Sequence, residues 1–269
     1  MSESGRRADR TAADDAWYVY GVIPADDAYE GLLSGVPGVT GAGVSWIAED
    51  GLAAIVSTVP LAEFGEEAIG ENLRDPAWLE QGVRAHEAVL ERALGAAAVV
   101  PFRFGTIYRD ESRVRRMLAD EGKSLADALD RVRGKVEFGV KGFLVEPVAA
   151  TSGPRSEREA SAGRRYLEGK QQARRLAEEQ EALRGRYANE AHGRLAAAAD
   201  EAVANPLQPR EVSGRDADMF LNGAYLVATE RQEEFRAAVS GLDGDFGADG
   251  ARFDLTGPWP PFNFVGDVV

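Results

Sequence analysis

Alternation of apolar and polar residues predicts several strands along the chain. Phe253 and Leu255 alternate with Asp254 and Thr256, which is the period-2 pattern of a half-buried strand. The aromatic and β-branched run at 17–23 is stopped by Pro24 and is typical of a first strand. Similar patterns occur at 44–47, 52–59, 98–108, 135–145 and 219–228, and Asp-Gly between the first two of these predicts a hairpin turn.

Helical periodicity separates these strands. Asp75-Pro76 supplies a cap and a first-turn proline for a helix that ends at Gly95, and two short helices end at Gly122 and Gly134. A charged stretch from about 157 to 203 carries a narrow apolar stripe, which predicts one long helix or two consecutive ones. A further short helix is marked by Phe235, Val239 and Leu242.

Strand and helix groupings on both sides of Gly134 predict an α+β fold with two small, helix-covered sheets. We expect a disordered extension at 1–16, which is polar and lacks the apolar core of a secretory signal. An N-terminal α+β domain would then span 17–134. A C-terminal α+β domain would span 135–269 and include the long helices at 157–203.

Composition and charge narrow the possible functions. The 269 residues contain no cysteine, which excludes disulfides and thiolate chemistry and fits a reducing cytoplasm. The formal net charge of −14 opposes binding to nucleic acid and to anionic lipid, so we expect neither partner. No apolar run approaches the length that spans a bilayer.

Metal and cofactor motifs are incomplete. His86 and His192 lie far apart in predicted helices and lack zinc-site spacing, so we expect surface or hydrogen-bonded core residues. Four aspartates, Asp243, Asp245, Asp249 and Asp254, have calcium-loop spacing, but Ala248 occupies the position that needs glycine. We therefore predict a solvated acidic loop at 243–250, and no cofactor.

Arg103 is a candidate for contact with a partner. On the predicted strand at 98–108, alternation puts Phe102 and Phe104 on one face and Arg103 on the other. Pro101 places this strand at a sheet edge or at a bulge. The guanidinium would either pair with a buried carboxylate or be presented to another protein.

The aromatic and proline-rich stretch at 257–264 is a second candidate. It is stiff, and Gly257-Pro258 is expected to end the strand before it. Trp259 and Phe262 either pack in the core as part of a closing turn or form a surface that another protein covers.

Five motifs, in this order, resemble the GvpL/GvpF family of gas vesicle accessory proteins. They are Tyr-Val-Tyr-Gly-Val-Ile at 18–23, Val-Pro-Phe-Arg-Phe-Gly-Thr at 100–106, Val-Glu-Phe-Gly-Val-Lys at 136–141, Asn-Gly-Ala-Tyr-Leu-Val at 222–227 and Leu-Thr-Gly-Pro-Trp-Pro-Pro-Phe at 255–262. The resemblance implies a two-domain α+β protein with ferredoxin-like elements, without enzymatic activity, that acts in the cytoplasm at the gas vesicle. It would bind the small hydrophobic shell protein and other accessory proteins during assembly.

The alternative is an enzyme or small-molecule binder on a ferredoxin-like sheet. It would use Arg103 with carboxylates such as Glu63, Glu66 and Glu67, because paired carboxylates can perform acid–base chemistry. A closed pocket that gathers these groups would favour the enzyme, and a shallow surface with aromatic rims would favour the binding protein.

Overall fold

The computed structural model of this chain describes residues 14–28, 31–145, 162–210 and 217–266. The chain forms two compact units. The first runs to Val136 and takes in the chain again from Trp259, and the second spans Glu137–Pro258. The domain bounds at 17–134 and 135–269 stay a prediction.

The first unit is built on an antiparallel sheet of five strands that differ in length. Asp50 and Gly51 have φ values of 47° and 82°, the left-handed geometry of the tight hairpin turn that their sequence predicts. The strands lie in the order β2-β3-β1-β4, and β5 also pairs with β1. Their bounds are β1 Asp15–Pro24, β2 Ser45–Glu49, β3 Leu52–Pro60, β4 Val100–Pro101 and β5 Ile107–Tyr108.

Two predictions for this sheet were wrong. Asp15 and Ala16, assigned to the N-terminal extension, belong to β1, because Ala16 pairs with Val59 and is 2% exposed. The rest of that extension, up to residue 13, lies outside the described residues. The single strand predicted at 98–108 is two short strands, β4 and β5, with a turn between them.

Five α-helices accompany the first sheet among the described residues. Asp75 caps the longest by accepting a hydrogen bond from the Ala77 N–H at 3.0 Å, as its position before Pro76 predicts. The acidic sequence at 63–71 alone suggests a loop, but most of it is helical. Glu66 and Glu67 lie in a first turn, where carboxylates interact favourably with the helix dipole. The helices are α1 Leu61–Phe64, α2 Glu66–Asn72, α3 Pro76–Ala93, α4 Glu111–Asp120 and α5 Gly122–Val132.

The edge strand β2 is covered by a side chain from α4. Arg115 donates from one nitrogen to the Ala48 carbonyl at 2.6 Å and to the Glu49 carboxylate at 3.0 Å. Its other nitrogens bond Glu111 at 2.7 and 3.1 Å. The guanidinium therefore occupies a backbone acceptor that an edge strand otherwise leaves open.

The second unit has ferredoxin-like topology. Its strands lie in the order β7-β8-β6-β9, and its elements follow one another as β-α-β-β-α-β. The first unit has the corresponding strand order, and together the two sheets confirm the predicted α+β class with ferredoxin-like sheets and a long charged helix. The elements are β6 Lys135–Leu144, α6 Ala162–Ala198, β7 Glu201–Ala204, β8 Asp218–Ala228, α7 Gln232–Phe246 and β9 Ala251–Trp259.

Three element ends in this unit differ from prediction. The long helix stops at Ala198, because Glu201 already pairs with Leu226 in the sheet. Helix α7 continues to Phe246, whose ring is buried, so part of the predicted loop at 243–250 is helical. Strand β9 runs through Pro258, which an edge strand tolerates since a missing N–H there can face outward.

Helix α6 packs on the second sheet through its C-terminal part. Tyr187, Ala191 and Leu195 are buried at spacings of four, and the Tyr187 ring lies 5.0 Å from that of Phe246. The start of this helix was predicted near 157, and the residues from 146 to 161 lie outside the described part of the chain. In the described ranges, no helix combines the length and apolarity that crossing a membrane requires.

We expect Gly21→Ala to destabilise the first unit by about 2–3 kcal/mol, because overpacking against backbone atoms that cannot move aside has a cost of this order. A Cβ at Gly21 would lie 2.5 Å from the Val100 carbonyl oxygen. Urea unfolding followed by tryptophan fluorescence reports on this unit, because it contains Trp17, Trp46, Trp78 and Trp259.

Gly70→Ala is the matched control. Gly70 lies in α2 with nothing within 4 Å of a Cβ, so alanine should stabilise the helix by about 0.5–1 kcal/mol. Equal midpoints for the two variants would contradict the packing described at Gly21.

Candidate partner-binding surface

The turn between β4 and β5 carries the sequence Phe-Arg-Phe-Gly-Thr and is fixed to the sheet at both ends. The Phe102 N–H donates to the Tyr20 carbonyl at 2.8 Å, and the Val19 N–H donates to the Thr106 carbonyl at 2.9 Å. Within the turn, the Thr106 hydroxyl donates to the Arg103 carbonyl at 2.8 Å. Most of the turn's backbone groups are thus held in one conformation.

His86 ties this turn to helix α3. Its Nε2 lies 3.2 Å from the Phe102 carbonyl oxygen, and its Nδ1 lies 2.9 Å from the Tyr18 hydroxyl. A carbonyl can only accept, so Nε2 carries the proton and Tyr18 donates to Nδ1. The Tyr18 oxygen in turn accepts from the Gly105 N–H at 3.0 Å.

This arrangement keeps the imidazole neutral. Burial lowers the pKa of His86 to about 4, against a smaller opposite effect of the bond to Phe102. Burial also raises the pKa of Tyr18. His86 is 3% exposed, so it is a hydrogen-bonded core residue, one of the two environments that the sequence predicted for it.

Aromatic rings surround His86. The Phe104 ring centroid lies 5.9 Å from that of His86, 6.0 Å from Trp78 and 6.1 Å from Tyr18. Gly82 makes room for it, since a Cβ there would lie 2.8 Å from the Phe104 ring. The rings of Phe104 and its neighbours form what we call the His86 cluster, whose members are Tyr18, Tyr20, Phe64, Trp78, His86 and Phe104.

The three candidate residues of the turn differ in exposure. Phe102 is 3% exposed and packs in the core, Phe104 is half-buried, and Arg103 is exposed. The alternation expected of a strand therefore survives in the turn. Of these three residues, Arg103 and the accessible edge of Phe104 can be contacted by another protein.

The C-terminal candidate segment is anchored on both sides of one exposed ring. Trp259 is half-buried, Phe264 is fully buried and Val265 is 7% exposed. Between them the Phe262 N–H donates to the Pro260 carbonyl at 2.8 Å, and the Phe262 side chain is 42% exposed. The segment thus combines a packed closing turn with an aromatic side chain at the surface.

A groove of about 420 Å³ lies between α3 and the loop at 37–41. Trp78 and Gly82, which contact Phe104, line it together with Glu63. The Trp78 indole N–H donates to a Glu63 carboxylate oxygen at 2.7 Å. The groove has an aromatic wall with one acidic group.

The carboxylates considered for an enzyme are placed differently from one another. Glu63 accepts from Trp78, whereas Glu66 and Glu67 are exposed and line a separate open hollow at the start of α2. Arg103 is exposed and the Phe104 ring beside it is half-buried, so a cation and an aromatic ring lie together at the surface of the turn.

The aspartates with calcium-loop spacing bond to protein groups instead. Asp243 accepts from the Phe253 N–H, Asp245 pairs with Arg194 at 2.7 Å, and Asp249 accepts from the Tyr187 hydroxyl. Within the described ranges, no three His, Asp or Glu side chains are placed to hold a metal ion. His192 is bonded to the Tyr225 hydroxyl at 3.0 Å.

Sequence reasoning missed the link between Tyr18, His86 and the turn. One signal was available, because His86 lies on the same helix face as Val83 and Leu90, three and four residues away. That spacing indicates burial on α3. It does not indicate which strand residue bonds the imidazole.

The fold and this surface define an α+β protein with two ferredoxin-like units. The chain belongs to the gas vesicle synthesis protein GvpL/GvpF family, whose model matches residues 16–266. This confirms the family resemblance that the five motifs indicated.

Individual relatives agree with this family. The chain is 32% identical to gas vesicle protein L of Streptomyces sp. (strain CB03234), over 95% of this chain and 94% of that protein. It is 26% identical to gas vesicle protein F of Haloferax mediterranei, over 93% of each. The crystal structure of GvpF from Anabaena sp. PCC7120 shares the fold, with a TM-score of 0.66 at 20% identity over 93% of this chain and 96% of that one.

We expect the first unit to lose about 2 kcal/mol of stability between pH 7 and pH 5 through His86, as linkage requires for a group whose pKa falls on folding. Unfolded His86 titrates at its ordinary pKa and the folded one at about 4. The unfolded chain therefore binds more protons in this window, and stability falls as the pH falls. Urea unfolding by tryptophan fluorescence at both pH values measures the loss.

His86→Gln should flatten this pH dependence, since the amide keeps a donor and an acceptor but does not titrate. His192→Gln, in the second unit, is the control and should leave it unchanged. A His86→Gln variant with the wild-type pH dependence would show that His86 does not carry it.

Proposed function

We propose that this chain is a non-enzymatic accessory protein of gas vesicle assembly that binds the small hydrophobic shell protein. The observation that carries the proposal is the family match over residues 16–266. Other gas vesicle accessory proteins are further proposed partners, and the proposed place of action is the gas vesicle in the cytoplasm.

The first unit offers a surface suited to this role. Arg103 is exposed on a turn whose backbone is held by Tyr18, Tyr20 and His86, so it is ordered before a partner arrives. Preorganisation of this kind reduces the entropy that binding removes. Arginine and aromatic side chains together are typical of the energetically important centre of protein interfaces.

Apolar area is available in the same unit. Phe262 exposes 42% of its surface, and the groove beside α3 presents the Trp78 ring. A hydrophobic shell subunit needs such surfaces to be covered while it is free, and the acidic charge of this chain, −14, keeps a complex soluble. We therefore propose Arg103, Phe104, Trp259 and Phe262 as contact residues, with Phe102 supporting the turn from the core.

We expect Arg103→Ala and Phe262→Ala each to lower capture of the shell protein by about fivefold, the effect of losing roughly 1 kcal/mol at an interface. Both side chains are exposed, so neither change should unfold the protein. Pull-down of co-expressed shell protein by the tagged full chain measures the effect, and tryptophan fluorescence verifies folding.

Leu73→Ala and Arg113→Ala are matched controls. Leu73 is 43% exposed, which matches the 42% exposure of Phe262. The Arg113 side chain, at the start of α4, is 64% exposed. Both controls should capture as much shell protein as wild type. Unchanged capture by both test variants would remove this surface from the proposal, and absence of capture by wild type would overturn shell-protein binding itself.

A further inference from the structure

The groove between α3 and the loop at 37–41 is acidic and aromatic. Among the residues described as lining it, Glu63 alone carries a charge, and helix α3 contributes Trp78, Gln81, Gly82 and Ala85. Its volume of about 420 Å³ is near the lower end of the range for ligand sites, about 300–1,000 Å³. A groove of this size suits a single side chain better than a large cofactor.

Glu63 has one carboxylate oxygen left for another donor. Its Oε1 accepts from the Trp78 indole N–H at 2.7 Å, and within the described ranges its side chain has no other hydrogen bond or ion pair. The side chain is half-buried, so its charge is less hydrated than those of the exposed Glu66 and Glu67. A carboxylate that is partly removed from water and holds one neutral donor favours a cation as its next partner.

Trp78 supplies the second element of the site. Its only polar atom is bonded to Glu63, so the indole offers ring surface to the groove. The ring is held by Phe64 and Phe104, whose centroids lie 5.3 and 6.0 Å away. No cation lies over it in the part of the chain that the structure describes. Tryptophan attracts a cation more strongly than the other aromatic side chains, by about 0.5–2 kcal/mol.

The opposite wall is the loop at 37–41, whose backbone is fixed. The Gly38 N–H donates to the Ala42 carbonyl at 2.8 Å, and the Val39 N–H donates to the Tyr20 hydroxyl at 2.9 Å. A Cβ at Gly38 would lie 2.6 Å from the Tyr20 hydroxyl, so the loop lies close against the sheet. Both walls are thus ordered before a ligand arrives, which reduces the entropy that binding removes.

Arginine matches this combination of groups better than lysine. Its planar guanidinium can donate to Glu63 and lie flat against the Trp78 indole at the same time, whereas an ammonium group is a compact and strongly hydrated charge. The net charge of −14 also attracts a basic segment toward this chain.

We propose that this groove binds an arginine side chain of a partner protein, whose guanidinium donates to the second Glu63 oxygen and lies against Trp78. The inference deepens the function proposed above and rests on it for the partner. The groove adjoins Phe104 of the proposed contact surface, because Phe104 contacts both Trp78 and Gly82. Residues of the partner beside the arginine then cover the accessible edge of Phe104.

Fluorine-labelled tryptophan provides the test. The full chain is labelled with fluorotryptophan and titrated with the blocked peptide acetyl-Leu-Arg-Leu-amide. We expect the Trp78 signal, assigned with Trp78→Phe, to shift with a Kd of order 1 mM. Trp17 is the internal reference, because it lies on the face of β1 opposite to Tyr18, whose hydroxyl bonds His86 of α3.

Charge is then separated from shape. The citrulline peptide acetyl-Leu-Cit-Leu-amide keeps the shape of the arginine peptide without its charge. Glu63→Gln keeps an acceptor for the Trp78 N–H and removes the carboxylate charge. Each change should weaken binding about fivefold. Glu87→Gln is the matched control and should bind like wild type, since Glu87 is exposed on the side of α3 opposite to Trp78.

Free L-arginine separates a small-molecule site from a site for a protein segment. It should bind about fivefold more weakly than the peptide, because it lacks the leucines that cover the Phe104 edge. Equal affinity for free arginine and for the peptide would overturn the assignment to a partner protein.

The arginines near the start of the chain are tested in the same way. Arg6, Arg7 and Arg10 precede Asp14, whose carbonyl accepts from the Leu61 N–H at 2.9 Å at the start of α1. A variant with all three arginines changed to Gln should bind the peptide with the wild-type Kd. Binding that is tighter by about fivefold or more would show that this segment of the chain competes for the groove, and would also overturn the assignment to a partner.

Two results would overturn the arginine site itself. They are a Trp78 signal that does not move at about 10 mM arginine peptide, well above the expected Kd, and equal affinity for the arginine and citrulline peptides. None of these titrations contains shell protein, so a failure of the arginine site is distinguishable from a failure of shell-protein capture.

Discussion

The hydrogen bonds of His86 fix the turn that carries Arg103 to the first sheet, and the proposed contact surface of the first unit depends on this turn. One imidazole joins a strand through Tyr18 and a turn through the Phe102 carbonyl, while the helix that carries it packs on both. The neutral ring can make both bonds only as the Nε2–H tautomer, so the site fixes the protonation state and the geometry together. The aromatic rings around it exclude water, which strengthens these bonds and keeps the pKa low.

Local signals predicted most elements and few of their ends. The Asp50-Gly51 turn and the Asp75 cap act within a few residues, so the sequence pattern sufficed for them. The break between β4 and β5 could not be predicted, because Tyr18 and His86, distant in sequence, accept and donate the bonds that bend the chain there. The residues of β7 were predicted as part of the long helix for the same reason. The pairing of Glu201 with Leu226 is a long-range contact that the local pattern does not show.

The candidate functional residues also divide into features that local patterns predict and features that depend on long-range contacts. The alternation of Phe102, Arg103 and Phe104 predicted which side chain would be outermost, although the segment is a turn. The pairing of Arg184 and Arg210 with Asp218 could not be predicted from sequence, because the three residues lie on a helix, a connecting segment and a strand that only tertiary packing brings together. Short-range patterns indicate exposure, and long-range pairing decides which exposed groups become neighbours.

The contact of Arg115 with the edge strand β2 has a consequence for strand addition at this edge of the sheet. A foreign strand that extended the sheet at this edge would need the Ala48 carbonyl as an acceptor, and the guanidinium already holds it. Displacing Arg115 would also separate it from Glu49 and Glu111. At this edge the protein is thus protected against pairing with a strand from another molecule.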